Sequence, residues 1–234
     1  MCSNYQPVTR RDRLLSFFGV ERARDEPPAD VFPTALAPFI RLAEPGSGDK
    51  VVDDGAFGLL PFFAKEIAYG RRTYNARSET VHQLASFRDA WRRAQRCIVP
   101  VECVYEPCWE TGRAVRWRIS RPGALPLGIA GIYTRWRRPD GLEMFSFAML
   151  TVNADGHPVF QRMHRPGDEK RMVVILEPAD HDAWLSCAVA DAAGYFKQWG
   201  GELLAEPAPL QRAPRAGSGK VVGPGAPPAA GSLF

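Results

Sequence analysis

Five short segments between residues 96 and 176 constrain the fold more than any other feature of this chain. RCIVPVECVYE (96–106), AVRWRIS (114–120), LGIAGIYTRW (127–136), MFSFAMLTV (144–152) and RMVVIL (171–176) are rich in β-branched and aromatic residues and are bounded by Gly and Pro. Consecutive strands with no helix between each pair argue for an α+β arrangement with an antiparallel sheet, not a doubly wound parallel one. Two helical patterns flank them. SETVHQLASFRDAWRRAQR (78–96) begins on Ser78 as a candidate N-cap and is expected to bury Val81, Leu84, Ala85 and Trp91. DHDAWLSCAVADAAGYFKQW (180–199) has Asp180 in the same capping position and an apolar stripe through Trp184, Val189 and Tyr195. LLSFFGV (14–20) follows a basic RRDR, but charged ERARDE comes next with no small-residue cleavage site. It reads as a short amphipathic helix and not as a signal peptide.

Composition narrows the class further. With 45% hydrophobic and 11% aromatic residues in 234 positions, the chain has enough apolar material to bury a sizeable core, which excludes disorder throughout. No apolar run approaches the ~20 residues of a membrane-spanning helix, so no membrane partner is expected. Residues 207–234 differ in kind: Pro, Gly and Ala fill 17 of 28 positions, and Arg212, Arg215 and Lys220 meet no acid. Three of the four net positive charges therefore sit there, and a folded domain over 1–206 is left nearly neutral. The segment is expected to be a disordered, solvated basic tail. Of the 30 basic residues 25 are Arg, a bias suited to phosphate and base stacking, although a GC-rich genome yields the same bias. Five Cys form no C-x-x-C pair, so neither a zinc site nor a disulfide framework is expected, and no cofactor is implied. Cys97, Cys103 and Cys187 read as small buried hydrophobes.

Four places carry chemistry. Cys2 becomes the first residue once Met1 is removed, and its amine and thiol then form a 1,2-aminothiol. Near neutral pH such an amine is partly neutral and an ordinary thiol partly ionised. With an aldehyde, the amine forms a Schiff base and the thiol closes a five-membered thiazolidine, a ring that no internal residue can make. TYNARSET (73–80) offers the Asn75 amide and the Arg77 fork. RCIVPVECVYE brings Glu106 to a strand end as a candidate acid or base, with Tyr105 pointing the other way. His164 stands in a polar turn before a strand, where it can shuttle protons. Taken singly, each has a plain reading as well: a frayed terminus, a helix start, a solvated Glu, a surface His.

In order, the MC start, the NARSE loop, the R-C-hydrophobic-hydrophobic-P…YE strand and the His164–RMVVIL segment resemble the SRAP (SOS-response-associated peptidase) family. FPTALAPFIR (32–41) and FGLLPFF (57–63) are similar to two further family segments. The resemblance implies a single compact domain with a barrel-like, mostly antiparallel sheet flanked by helices. It also implies binding to single-stranded DNA, covalent linkage to abasic sites through Cys2, and autoproteolytic removal of the leading residue. On that basis Cys2 is the nucleophile, Asn75 orients the amine or a sugar hydroxyl, and Glu106 and His164 transfer protons. Arg71, Arg72, Arg77 and Arg162 would track the DNA backbone, and Pro33, Phe57 and Pro61 would shape the site or the DNA groove. The expected protein is a monomer, cytoplasmic, and at the nucleoid if bacterial.

The chain departs from the family at Ser3 and Asn4, which replace Gly and Arg; Asn4 could still hydrogen-bond a phosphate. It departs again at Cys103, at Pro107, and at Phe57 and Phe63, which replace Trp but keep a stacking face. PGDEK (166–170) lengthens the loop after His164. Two other functions fit the residues: an N-terminal-nucleophile amidohydrolase, and a non-covalent single-strand-binding module in which Cys2 is incidental.

Overall fold

The structure, a computed structural model, describes residues 2–23, 25–26 and 29–210. In chain order its elements are β1 (Asn4–Pro7), α1 (Arg11–Phe18), β2 (Leu36–Leu42), β3 (Lys50–Phe57), β4 (Asn75–Arg77), α2 (Arg88–Arg92), β5 (Arg96–Cys108), β6 (Val115–Ser120), β7 (Leu127–Arg137), β8 (Glu143–Asn153), β9 (Arg171–Val173), β10 (Ile175–Leu176), α3 (His181–Ser186) and β11 (Leu204–Pro207). Of the expected tail, residues 211–234 lie outside the described residues, as does Met1.

Strands β5, β7, β8, β3 and β2 pair in a closed ring, a five-stranded barrel in an α+β domain, as the sequence reading anticipated. Closure is possible because β5 is long. Its first half (96–101) pairs with β7, and its second half (104–108) leaves the barrel to pair with β6. β1 lies antiparallel along that second half. Most pairings are antiparallel; β3 and β4 run parallel to β8. The barrel is filled by residues that alternate inward, among them Phe39, Phe57, Phe147, Val99 and Ile129. Tyr5, Phe57 and Phe147 meet ring to ring at 5.1 and 5.7 Å. Each such ring contributes on the order of 1.5–3 kcal/mol through burial. No helix among the described residues is long and apolar enough to cross a membrane.

The five strand segments read from the sequence are all present, the last split at Val174 into β9 and β10. The helices are shorter than expected. From Ser78 to Phe87 the chain runs through successive turns, and only Arg88–Arg92 is α-helical. Val81 and Phe87 both point into the core, yet six residues apart on a helix they would lie about 240° around the axis. Leu84 and Ala85, expected inside, are exposed. The second helix stops after Ser186, and Asp180 makes no capping bond. Arg96, held between the rings of Trp91 and Trp184, donates to the Cys187 carbonyl at 2.6 Å and the Ala188 carbonyl at 3.4 Å. α1 forms where LLSFFGV predicts a helix and ends on Gly19 in the left-handed region, φ 66°.

Candidate active site

β1 pairs Asn4 with Tyr105, so Cys2, two residues earlier, lies at the stretch of β5 that carries Glu106. Cys2 is 1% exposed, and its Sγ donates to the Asn4 carbonyl at 3.4 Å. Burial pushes the thiol well above its ordinary range, and the Glu106 carboxylate pushes it the same way. The expectation of a partly ionised thiol therefore fails here, because loss of water and a nearby negative charge both disfavour a second anion. Tyr74 is raised too, by burial first and then by the charges of Glu106 and Cys2. Thiol and phenol are both proton-bearing neighbours of Glu106.

Asn75 reaches the same place from β4. Its Nδ2 donates to the Cys2 carbonyl at 2.8 Å, while its buried Oδ1 accepts from no described residue. The approach to β4 is pinned from behind. Leu59 and Thr73 exchange backbone and hydroxyl bonds at 3.2 and 2.7 Å. Gly58 packs directly on Gly70 with φ 129°; a Cβ there would stand 2.3 Å from the Gly70 carbonyl oxygen. The exit of β3 and the segment before Asn75 are thus fixed to one another.

Glu106 is buried, not solvated, and Tyr105 does point to the other side, where the Arg116 guanidinium stacks 3.3 Å from its ring centroid. His164 is buried as well, and its Nε2 stands 3.2 Å from Glu106 Oε2. Its backbone is in the left-handed region, φ 64°, and its N–H donates to the Pro107 carbonyl at 2.7 Å. The departure at Pro107 costs the site nothing at this contact, since the bond uses the carbonyl that proline retains. Protonated thiol, carboxylate, imidazole and an open amide acceptor therefore share one buried cluster. Such a set can hold a carbonyl compound and pass protons to and from it. Among the described residues no group of three His, Cys, Asp or Glu is arranged to hold a metal ion.

His164 also lines an open cavity of about 520 Å³ with Tyr74, Arg77, Glu169 and Arg171. The residues expected around it divide. Arg71 and Arg72 are exposed, and Pro33 is half-buried. Arg77 is exposed but pairs with Glu169 at 2.6 Å. Arg162 is held bidentately by Glu110 at 2.6 and 2.9 Å and lies over Trp117. Three expectations need correction. Asn4 is buried, its Oδ1 taken by Arg116 Nε at 2.8 Å and its Nδ2 bound to the Val31 carbonyl at 3.2 Å, so it has no group to offer a phosphate. Phe57 is 0% exposed and Pro61 is buried, so neither presents a surface to DNA; Phe57 packs instead on Tyr74 at 5.7 Å.

Phe63 keeps an exposed face as expected, and its neighbour Phe62, overlooked in the sequence, is 80% exposed. The two rings meet edge to face at 5.3 Å, and Phe63 meets Tyr69 at 5.8 Å. The FF pair after Pro61 was the available signal. Arg171 was overlooked too. It is buried and held by Glu79 and Glu169 at 2.9 and 2.8 Å.

Known proteins are similar to this chain. The SOS response associated peptidase (SRAP) family matches the sequence over residues 1–205. The abasic site processing protein YoqW of Bacillus subtilis (strain 168) is 25% identical over 193 residues, 80% of each chain. The abasic site processing protein HMCES of Rattus norvegicus is 24% identical over 137 residues, 46% of this chain and 39% of that protein. A solved structure from Bordetella bronchiseptica has a TM-score of 0.81 and 37% identity, covering 89% of this chain and 100% of its own. The chain, matched by the family along nearly all its described length, belongs to the SOS response associated peptidase (SRAP) family.

Proposed function

We propose that this protein binds single-stranded DNA and joins itself covalently to abasic sites through Cys2 once Met1 has been removed. The observation that carries the reading is the convergence of Cys2, Asn75, Glu106 and His164, from four separate segments, in one buried cluster. That YoqW and HMCES are abasic site processing proteins supports the same processing by this chain.

The chemistry follows from the environment. An abasic sugar opens to an aldehyde, and Glu106 with His164 moves the proton between ring oxygen and hydroxyl. The Cys2 amine adds to the aldehyde carbon and water leaves, giving a Schiff base. The thiol sulfur then bonds to that carbon, and the ring nitrogen ends with the proton that the sulfur loses. Since burial and Glu106 keep the thiol protonated beforehand, ring closure waits on the cationic Schiff base and on Glu106 as proton carrier. Asn75, with Nδ2 on the Cys2 carbonyl and Oδ1 open, orients the amine or a sugar hydroxyl. Arg71, Arg72 and Arg77 meet phosphates, and Phe62 and Phe63 stack on bases.

A denaturing gel tests the reading. Protein incubated with single-stranded DNA bearing one abasic site is expected to give a heat-stable shifted band that disappears in Cys2→Ala. Binding without a band, indifferent to Cys2, would identify a non-covalent module; glutamine hydrolysis without a band would identify an amidohydrolase.

A further inference from the structure

His164 holds a backbone conformation that side-chain-bearing residues rarely adopt, and it does so on a seven-residue excursion between the Met163 bridge to Cys108 and the start of β9. A loop of that kind needs something to hold it, because left-handed backbone at a non-glycine residue is strained. The Pro107 carbonyl holds one side, through the His164 N–H. On the other side three carbonyls in succession point at one atom. Lys170 Nζ lies 2.9 Å from the Met163 oxygen, 3.2 Å from the His164 oxygen and 3.1 Å from the Arg165 oxygen. An ammonium has three N–H donors and no acceptor, so the three carbonyls match its full capacity.

Successive carbonyls of an extended strand point to opposite sides. They converge where the chain leaves the extended conformation, as it does at His164. The cage and the unusual φ are therefore two descriptions of one geometry, and charge-assisted bonds are the stronger kind. We propose that Lys170 is a positioning residue, whose ammonium clasps the 163–165 carbonyls and so keeps the His164 ring against Glu106. The hydrogen bonds of the Lys170 ammonium to this loop all run to backbone carbonyls, so it acts on His164 through the backbone. Where its effect on rate is concerned, the proposal rests on the crosslinking reading above.

The test uses the full chain in three variants. The four histidines supply an internal reference, since His157 and His181 are buried and His82 is exposed. In the proton NMR spectrum, Lys170→Met is expected to move the His164 ring signal toward that of exposed His82. The His157 and His181 signals stay in place and report that the fold survives. Lys170→Arg, which keeps charge and donors, is expected to retain the His164 signal. With abasic single-stranded DNA, Lys170→Met slows band formation on the order of tenfold to a hundredfold, the scale of a mispositioned catalytic group. The double variant Lys170→Met/His164→Gln is then no slower than His164→Gln alone, because both changes remove the same contribution. An unmoved His164 signal, or additive slowing in the double variant, overturns the proposal. If the unmodified protein forms no band at all, the crosslinking reading falls, and the His164 signal alone still decides the positioning role.

Discussion

The buried cluster and the exposed side chains of residues 62–77 are built on opposite physical terms. In the cluster, Cys2, Asn75, Glu106 and His164 are withdrawn from water, and each is held by backbone contacts from another segment. Among the exposed residues, Arg71, Arg72, Phe62 and Phe63 stand out into solvent, and Arg77 shares its charge with Glu169. Electrostatics are strong in the first place and screened in the second. Chemistry should therefore be sensitive to small displacements and indifferent to salt, and DNA binding the reverse.

Glu106→Gln is the hardest test of that separation. It removes the proton carrier and keeps the shape, so band formation should slow by about 10²–10⁴-fold with DNA affinity unchanged. An equal loss of affinity in a filter-binding assay would break the distinction. Phe62→Ala should do the opposite, weakening binding by about 1–3 kcal/mol while the rate at saturating DNA stays the same. Smaller again is Glu169→Gln. Freed of its carboxylate partner, Arg77 becomes available to phosphate, so binding should tighten by about fivefold at most and its salt dependence steepen by about 0.7 in log–log slope.

A last test separates the acid response of the fold from that of the cluster. Burial, helped by the Lys50 charge, lowers His181 to about 4. Between about 4 and its unfolded value near 6.5, the unfolded chain binds a proton there that the native chain does not. Stability supplied by neutral His181 is therefore complete above that window and lost as pH falls through it, by at most about 1.4 kcal/mol per unit. His181→Gln should flatten the curve of unfolding free energy against pH over the same interval. It should leave the pH profile of band formation unaltered, because His181 stacks on Phe18 and belongs to neither region.

How far these features were legible in the sequence depends on whether neighbours in the chain or neighbours in space define them. The strands from 96 to 176 declared themselves through β-branched and aromatic runs. β2 and β3 did not, because Pro38, Asp53 and Asp54 interrupt the pattern; there Arg41 and Arg22 pair with Asp53 and Asp54. The long helix from Ser78 failed because Val81 and Phe87 pack by contact with the barrel and not by helical period. The four cluster residues were legible as types in a characteristic order. Their burial was not, nor was the occupation of Asn4 by Arg116 and Val31.

By itself, then, the sequence determined what is local or covalent: strand propensity, the aminothiol that Cys2 can become, and the presence of a carboxylate, an amide and an imidazole in family order. Only the tertiary structure decided the protonation of the Cys2 thiol, the pairing of Glu106 with His164, and the part of Lys170. The first two depend on desolvation and on groups tens of residues away, and the third on how a short loop is folded back on itself; such quantities are set by distance in space, which the order of residues does not contain.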